Sequence, residues 1–265
     1  MTSLAAYVDG IAVIGPGLAD WPAVAAILSG QLNYAPGPVV VPVPAALPPT
    51  ERRRVGRATR LAIAVGLDAS RRAGQDPATL ATVFTSSGGD GDNYHAICET
   101  LATSMRQISP TRFHNSVHNV TAGYWSIATG AMAPSTALAV YDASFAAGLI
   151  EALAQVVTGH APVLLIACDS TYPQPLHAKR PLPDGFAIAM VLAPTRGEHS
   201  LARLSAALVD SPVDHCDLPV LEAVRVQIPA GRCLPLLARI ARRQAGAVAV
   251  EYLGECSLQL QVEPC

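Results

Sequence analysis

The sequence predicts an α/β domain built on a mixed, largely buried sheet, and three observations predict it. Aliphatic and β-branched runs of strand length alternate with longer helical patterns along the chain. Two of those runs, Pro134 to Tyr141 and Pro162 to Cys168, carry no charged residue, the pattern of strands covered on both faces. Hydrophobic residues make up 51% of the 265 residues and charged residues only 14%, enough apolar material for one large core and too little charge for disorder.

The elements follow in order. Tyr7 to Gly15 reads as the first strand, turned by Gly15-Pro16-Gly17. A short helix is expected from Trp21 to Leu28. Ala35 to Pro49 is too rich in proline for regular helix. A long amphipathic helix is expected from Glu51 to Ala73, closed by Gly74. Thr79 to Thr85 is the second strand, followed by a glycine-rich corner from Ser86 to Gly91 and a helix from Asn93 to Met105. Val117 to Gly130 reads as helical, and Pro134 to Tyr141 as a buried strand. Ala143 to Val157 is apolar nearly all round, which predicts a central helix. Pro162 to Cys168, Gly185 to Leu192 and Leu201 to Val209 are strands, the first two separated by a loop with four prolines between Tyr172 and Pro183. A helix near Leu234 to Arg243 and strands Ala247 to Tyr252 and Ser257 to Val262 complete the chain. Nothing divides it: a single domain over residues 1–265 is expected.

The composition also excludes function classes. A net charge of −2 gives no bulk attraction to nucleic acid or anionic lipid. Apolar runs such as Ala143 to Val157 are too short or too interrupted for a membrane span. Met1-Thr2-Ser3-Leu4 lacks a basic region leading into an apolar one, so no secretory leader is read there. The six cysteines show neither CxxC nor a zinc-type spacing and read as buried apolar residues or free thiols. A cytoplasmic chain without metal or cofactor is expected. Gly88-Gly89-Asp90-Gly91 and Gly15-Pro16-Gly17 match no nucleotide-binding loop and read as turns.

Asp142 ends the apolar strand and opens the apolar helix, within Tyr141-Asp142-Ala143-Ser144. A strand-to-helix corner presents its turn residue to a cavity at the positive end of the helix dipole. Together with Phe113-His114-Asn115-Ser116-Val117-His118-Asn119 and Gly123-Tyr124-Trp125 upstream, this unit resembles the heart of a β-ketoacyl synthase, with its thiolase-like fold. The opening strand with its Gly-Pro-Gly corner, Val163 to Ala167, and Asp184-Gly185-Phe186 extend the resemblance. It covers residues 1–209; residues 210–265 resemble a shortened C-terminal part. The Phe113 to Trp125 stretch is more particularly similar to short ketosynthase-like proteins of aryl polyene pathways, described as chain length factors.

In that family the corner carries the nucleophilic cysteine, and two histidines come from the second half of the fold. Here the corner is Asp142, and neither histidine motif follows Val209. A carboxylate is a stable anion and a poor acyl acceptor. The resemblance therefore implies a subunit with no catalytic residue of its own. Its partners would be a catalytic β-ketoacyl synthase, forming a heterodimer, and an acyl carrier protein. By resemblance, Phe113, Ser116 and Val117 wall the acyl tunnel near the dimer two-fold, with His114, His118, Asn119, Tyr141 and Asp142 at the interface. In such dimers Thr136 to Tyr141 pairs across the two-fold.

Plainer readings stand beside these. Asp142 would serve as a helix cap, accepting from the amide of Ser144 or Phe145, worth about 0.5–2 kcal/mol. Phe113, Ser116 and Val117 would be ordinary core. His114 and His118, four apart, would share a helix face, yet no third metal ligand accompanies them. Arg53, Arg57 and Arg60 fall at helical spacing, a face for an acidic carrier protein or simply a solvated one. Two other functions stay open: an autonomous hydrolase or decarboxylase using Asp142 with His114 or His118, and a silent homodimer that binds acyl chains or a carrier protein.

Overall fold

The computed structural model describes residues 4–265; the leader reading made on Met1 to Ser3 lies outside them. Eight strands form one sheet in the order β3-β2-β4-β5-β1-β6-β8-β7. They are β1 (Leu4–Ile14), β2 (Ala81–Thr85), β3 (Ser135–Leu138), β4 (Val163–Asp169), β5 (Phe186–Ala193), β6 (Ala202–Val209), β7 (Gly246–Glu251) and β8 (Ser257–Pro264). β3, β2 and β4 run parallel, and every other pairing is antiparallel. The mixed sheet predicted from the alternating pattern is thus present, and it includes the last two strands.

The helices are α1 (Trp21–Leu28), α2 (Pro49–Arg52), α3 (Arg57–Arg72), α4 (Gly91–Ala102), α5 (Pro110–His114), α6 (Val120–Thr129), α7 (Ser144–Gly159), α8 (Leu176–Lys179), α9 (Pro219–Gln227) and α10 (Leu234–Ala241). Tight 3-10 turns at Tyr141–Ala143 and Pro229–Cys233 precede α7 and α10. α3 and α6 cover one face of the sheet; α7, α1, α9 and α10 cover the other. The alternation of β4 shows the two cores directly. Val163, Leu165 and Ala167 point into one, and Leu164, Ile166 and Cys168 into the other. α3 lies so close to β1 that a Cβ on Gly10 would sit 2.3 Å from the Ala69 carbonyl oxygen, which only glycine permits.

Four sequence expectations are corrected. The helix from Glu51 to Ala73 is broken at residues 53–56. There Gly56 caps α3, and Arg52 and Arg60 donate to the carbonyls of Leu47 and Val55. Arg53 ends α2 while Arg57 opens α3, so Arg53, Arg57 and Arg60 do not share one helix face. The helix expected from Val117 begins at Val120, so His114 and His118 lie on α5 and in the following turn rather than one face. The strand expected from Pro134 to Tyr141 is only four residues, and it forms an exposed to half-buried edge rather than a buried strand. Finally, α9 was not anticipated; its Val220 and Val226 are exposed, which blurs the helical pattern.

Candidate partner-facing site at the Asp142 corner

The parallel strands β2, β3 and β4 end together, and the corner between β3 and α7 lies at that end. Tyr141 adopts φ of 50°, a left-handed conformation that a residue with a Cβ rarely takes. Ser144 holds the turn: its hydroxyl accepts from the Val140 amide (3.0 Å) and is placed to donate to Tyr141 O (2.8 Å) or Ser86 O (3.0 Å). Buried and so engaged, Ser144 does not offer a free nucleophile.

The Asp142 side chain does not cap α7. Ala143 occupies that position, with no side-chain hydrogen bond to the helix. The carboxylate instead meets two arginines from distant segments. Arg180 Nη2 donates to Oδ1 at 2.6 Å, and Arg232 Nη2 lies 3.3 Å from Oδ2. Arg232 also donates to the Asp142 carbonyl at 2.9 Å. Arg180 stacks on the Tyr141 ring, 3.7 Å from its centroid. Burial works against the Arg180 charge, but the bond and charge of Asp142 outweigh it and raise its pKa. The ion pairs, rather than the helix amides, decide where the carboxylate points.

Behind the corner stands Asp169, fully buried at the end of β4. It accepts from the amides of Ser87 and Ala230, each at 2.8 Å. Burial pushes its pKa up, and the amide bonds oppose that rise. Through Ala230 it fixes the turn that delivers Arg232; through Ser87 it fixes the strand end beside Ser86. Asp169→Asn keeps the shape but turns an N–H₂ toward one of the two donors. A loss of about 1–3 kcal/mol in urea-measured stability is expected, from one buried amide left unpaired.

The remaining predicted residues are partly brought together. His118 Nε2 lies 2.9 Å from Leu138 O, tying the turn before α6 to β3. His114 packs edge-on against Tyr124 at 6.2 Å between centroids. Neither histidine is a partner of the Asp142 carboxylate, so the acid–base pair of the alternative hydrolase reading is not formed. Val117 and His118 line a small cavity of about 30 Å³ with Thr59, Phe84, Ser86 and Ala137, room for about one water. Ser116 is not among its lining residues; its hydroxyl donates to Phe113 O at 2.8 Å. Asn119 precedes α6 without capping it. Phe113 projects outward, as do Met105, Val117, Ile127, Met132 and Tyr141.

Arg57 is drawn into an ion pair with Asp184 (2.5 Å), whose other oxygen accepts from the Val39 amide. Arg60 donates to carbonyls of the 52–55 turn. Only Arg53 of the three predicted docking arginines is left exposed. Sequence reasoning missed Arg180, Arg232, Asp169 and Asn115. Asn115 is buried, donating to Arg54 O (2.8 Å) and accepting from Tyr124 (3.1 Å). Among the described residues, no three acidic, histidine or cysteine side chains are grouped to hold a metal, and no helix is long and apolar enough to cross a membrane.

Three solved structures share this architecture over nearly the whole chain. One is a chain of the ketosynthase ApeO in complex with its chain length factor ApeC, from Xenorhabdus doucetiae. It is 26% identical, covers 98% of this chain and 100% of its own, and superposes with a TM-score of 0.73. A chain of AntDE:AntF, a type II PKS acyl-carrier protein in complex with its ketosynthase, is 11% identical, covers 100% of both chains and has a TM-score of 0.76. The ishigamide ketosynthase/chain length factor is 14% identical, covers 98% and 99%, and has a TM-score of 0.70. At those lower identities the likeness is one of fold. No curated protein matches the chain significantly. The model of the β-ketoacyl synthase N-terminal domain matches residues 28–221. With most of its length matched and a thiolase-like α/β fold, the chain belongs to the β-ketoacyl synthase family.

Proposed function

We propose that this chain is a non-catalytic ketosynthase-like subunit, a chain length factor. It pairs with an active β-ketoacyl synthase and forms the opposite wall of that enzyme's acyl tunnel, in type II fatty-acid-like or polyketide-like biosynthesis of the aryl polyene kind. The observation that carries the reading is the corner itself. Where active relatives hold a cysteine, this chain holds Asp142, with its two oxygens engaged by Arg180 and Arg232. A carboxylate so paired is a weak nucleophile toward a thioester, and the acyl anhydride it would form lies above the thioester in energy.

The partner's cysteine would take the acyl group from one carrier thioester. Loss of CO₂ from a malonyl thioester then supplies the carbon nucleophile. This chain contributes shape. Val117 and His118, at the small cavity, form a wall that stops chain growth by overpacking, which costs about 1–3 kcal/mol when violated. Phe113, Ser116, Asn119 and Tyr141 lie at the interface around it. Arg53 is the residue left to meet an acidic carrier protein. Residues 1–265 act as one domain, with 210–265 as the shortened C-terminal part. The likeness to a chain of the ApeO–ApeC complex supports the pairing.

Co-expression with the candidate ketosynthase tests this. A one-to-one complex by native mass, condensing malonyl units only when this chain is present, is expected. Asp142→Asn should leave the rate within about fivefold, since partly exposed ion pairs contribute about 0–1 kcal/mol. Turnover by the isolated chain that Asp142→Asn abolishes would overturn the reading.

A further inference from the structure

Residues 210–243 build one side of a groove of about 520 Å³ between the end of α1, the 214–221 segment and α10. That volume lies in the range of small-molecule sites, roughly 300–1,000 Å³. None of its lining residues belongs to the Asp142 corner. Its floor is apolar: Ile27, Leu28, Leu221, Pro235 and Val248, all buried.

The charged groups at its rim are unequally engaged. Asp217 is taken by Arg242 at 2.5 Å, and Asp214 accepts from the Ala249 amide at 2.7 Å. His215 contacts Glu222 through Nδ1 at 2.9 Å. Arg239 remains. It reaches only the Ala245 carbonyl, at 3.4 Å, and no carboxylate pairs with it among the described residues. The thiol of Cys216 is pushed up to about 12 by burial and the neighbouring Glu222, so it adds no negative charge at neutral pH. The groove thus combines an apolar floor with a guanidinium that no carboxylate contacts among the described residues.

We propose that this groove binds a small amphipathic anion, an aliphatic carboxylate whose tail lies on the Leu28–Leu221–Val248 floor and whose head is held by Arg239. A guanidinium fork matches a carboxylate with two parallel hydrogen bonds. A cation would find Asp217 held by Arg242 and would meet the Arg239 charge, and a neutral chain would gain less from Arg239. The site is independent of the pairing proposed for β3.

Calorimetry on the full chain with octanoate, and with octan-1-ol as the uncharged control, tests it. Saturable one-to-one octanoate binding is expected, about tenfold or more tighter than the alcohol. Arg239→Ala should bring octanoate down to the level of octanol with an unchanged melting temperature. Ala238→Trp, which fills the groove from α10, should abolish binding of both. If melting shows that Ala238→Trp does not fold, Leu218→Trp fills the groove from the opposite wall. Absence of saturable octanoate binding overturns the proposal. So does octanoate affinity retained in Arg239→Ala or in the folded tryptophan variant.

Discussion

Arg225→Ala is expected to cost the fold about 3–5 kcal/mol, read as a lowered urea midpoint with an unchanged slope. The side chain is 3% exposed, and its guanidinium is shared between two carboxylates. Nε and Nη2 donate to Glu222 at 2.8 and 2.6 Å, and Nη1 donates to Glu251. One fork therefore joins α9 to the end of β7. Truncating it leaves Glu222 and Glu251 facing each other without a cation, and Glu251 already has one buried oxygen with no partner. Removing the carboxylates as well should recover most of the loss, because the penalty comes from charge left unpaired. The triple variant Glu222→Gln, Arg225→Met, Glu251→Gln is the control. The network also sets an acid limit. The Arg225 hydrogen bonds lead in holding the Glu222 carboxyl down to about 2, against an ordinary 4.5. A depressed folded-state pKa contributes stability that is fully present above about 4.5 and is lost as pH falls toward 2. In Arg225→Ala that acid-dependent part should shrink, flattening the stability profile between these two pH values.

The central strands were legible because they are covered on both faces. β4 and β5 are apolar at nearly every position, and such runs have no other stable place in a soluble α/β domain. α1 starts where Asp20 caps its first turn and Pro22 sits just inside it. The corner was legible as a corner. What holds Asp142 was not. Arg180 and Arg232 stand 38 and 90 residues away in sequence, and only folding brings them to it. Local spacing therefore favoured the helix amides, which lie nearest along the chain. The break between α2 and α3 was hidden for a related reason. Arg52 and Arg60 bind backbone carbonyls there, a competition that no helical periodicity reports. The edge position of β3 escaped for a different one. An apolar strand reads as buried whether its cover is its own chain or another molecule.

That ambiguity gives the second large effect, at β3. Thr82 N bonds Pro134 O, and Ser86 N bonds Leu138 O. In a parallel ladder the groups of the intervening even-numbered residue also face β2, so the backbone groups of Ser135 and Ala137 point away from it. No strand lies on that side among the described residues. An unpaired edge without charge is ordinarily blunted by lysine, proline or a bulge, and β3 has none of these within Ser135–Leu138. In the proposed heterodimer the partner's strand occupies it. Ala137→Pro removes the outward N–H while sparing every bond to β2, since proline is tolerated where the missing donor faces outward. The partner's carbonyl would then be buried unpaired, at about 1–3 kcal/mol, or roughly 5- to 150-fold in affinity. The ring's bulk at the seam adds to this. The melting temperature of the isolated chain should change little, while native mass shows loss of the complex and condensation stops. Ala139→Lys, which puts a charge just beyond the strand without altering its backbone, should weaken pairing in the same direction. A complex that tolerates both variants would place the partner on some other surface.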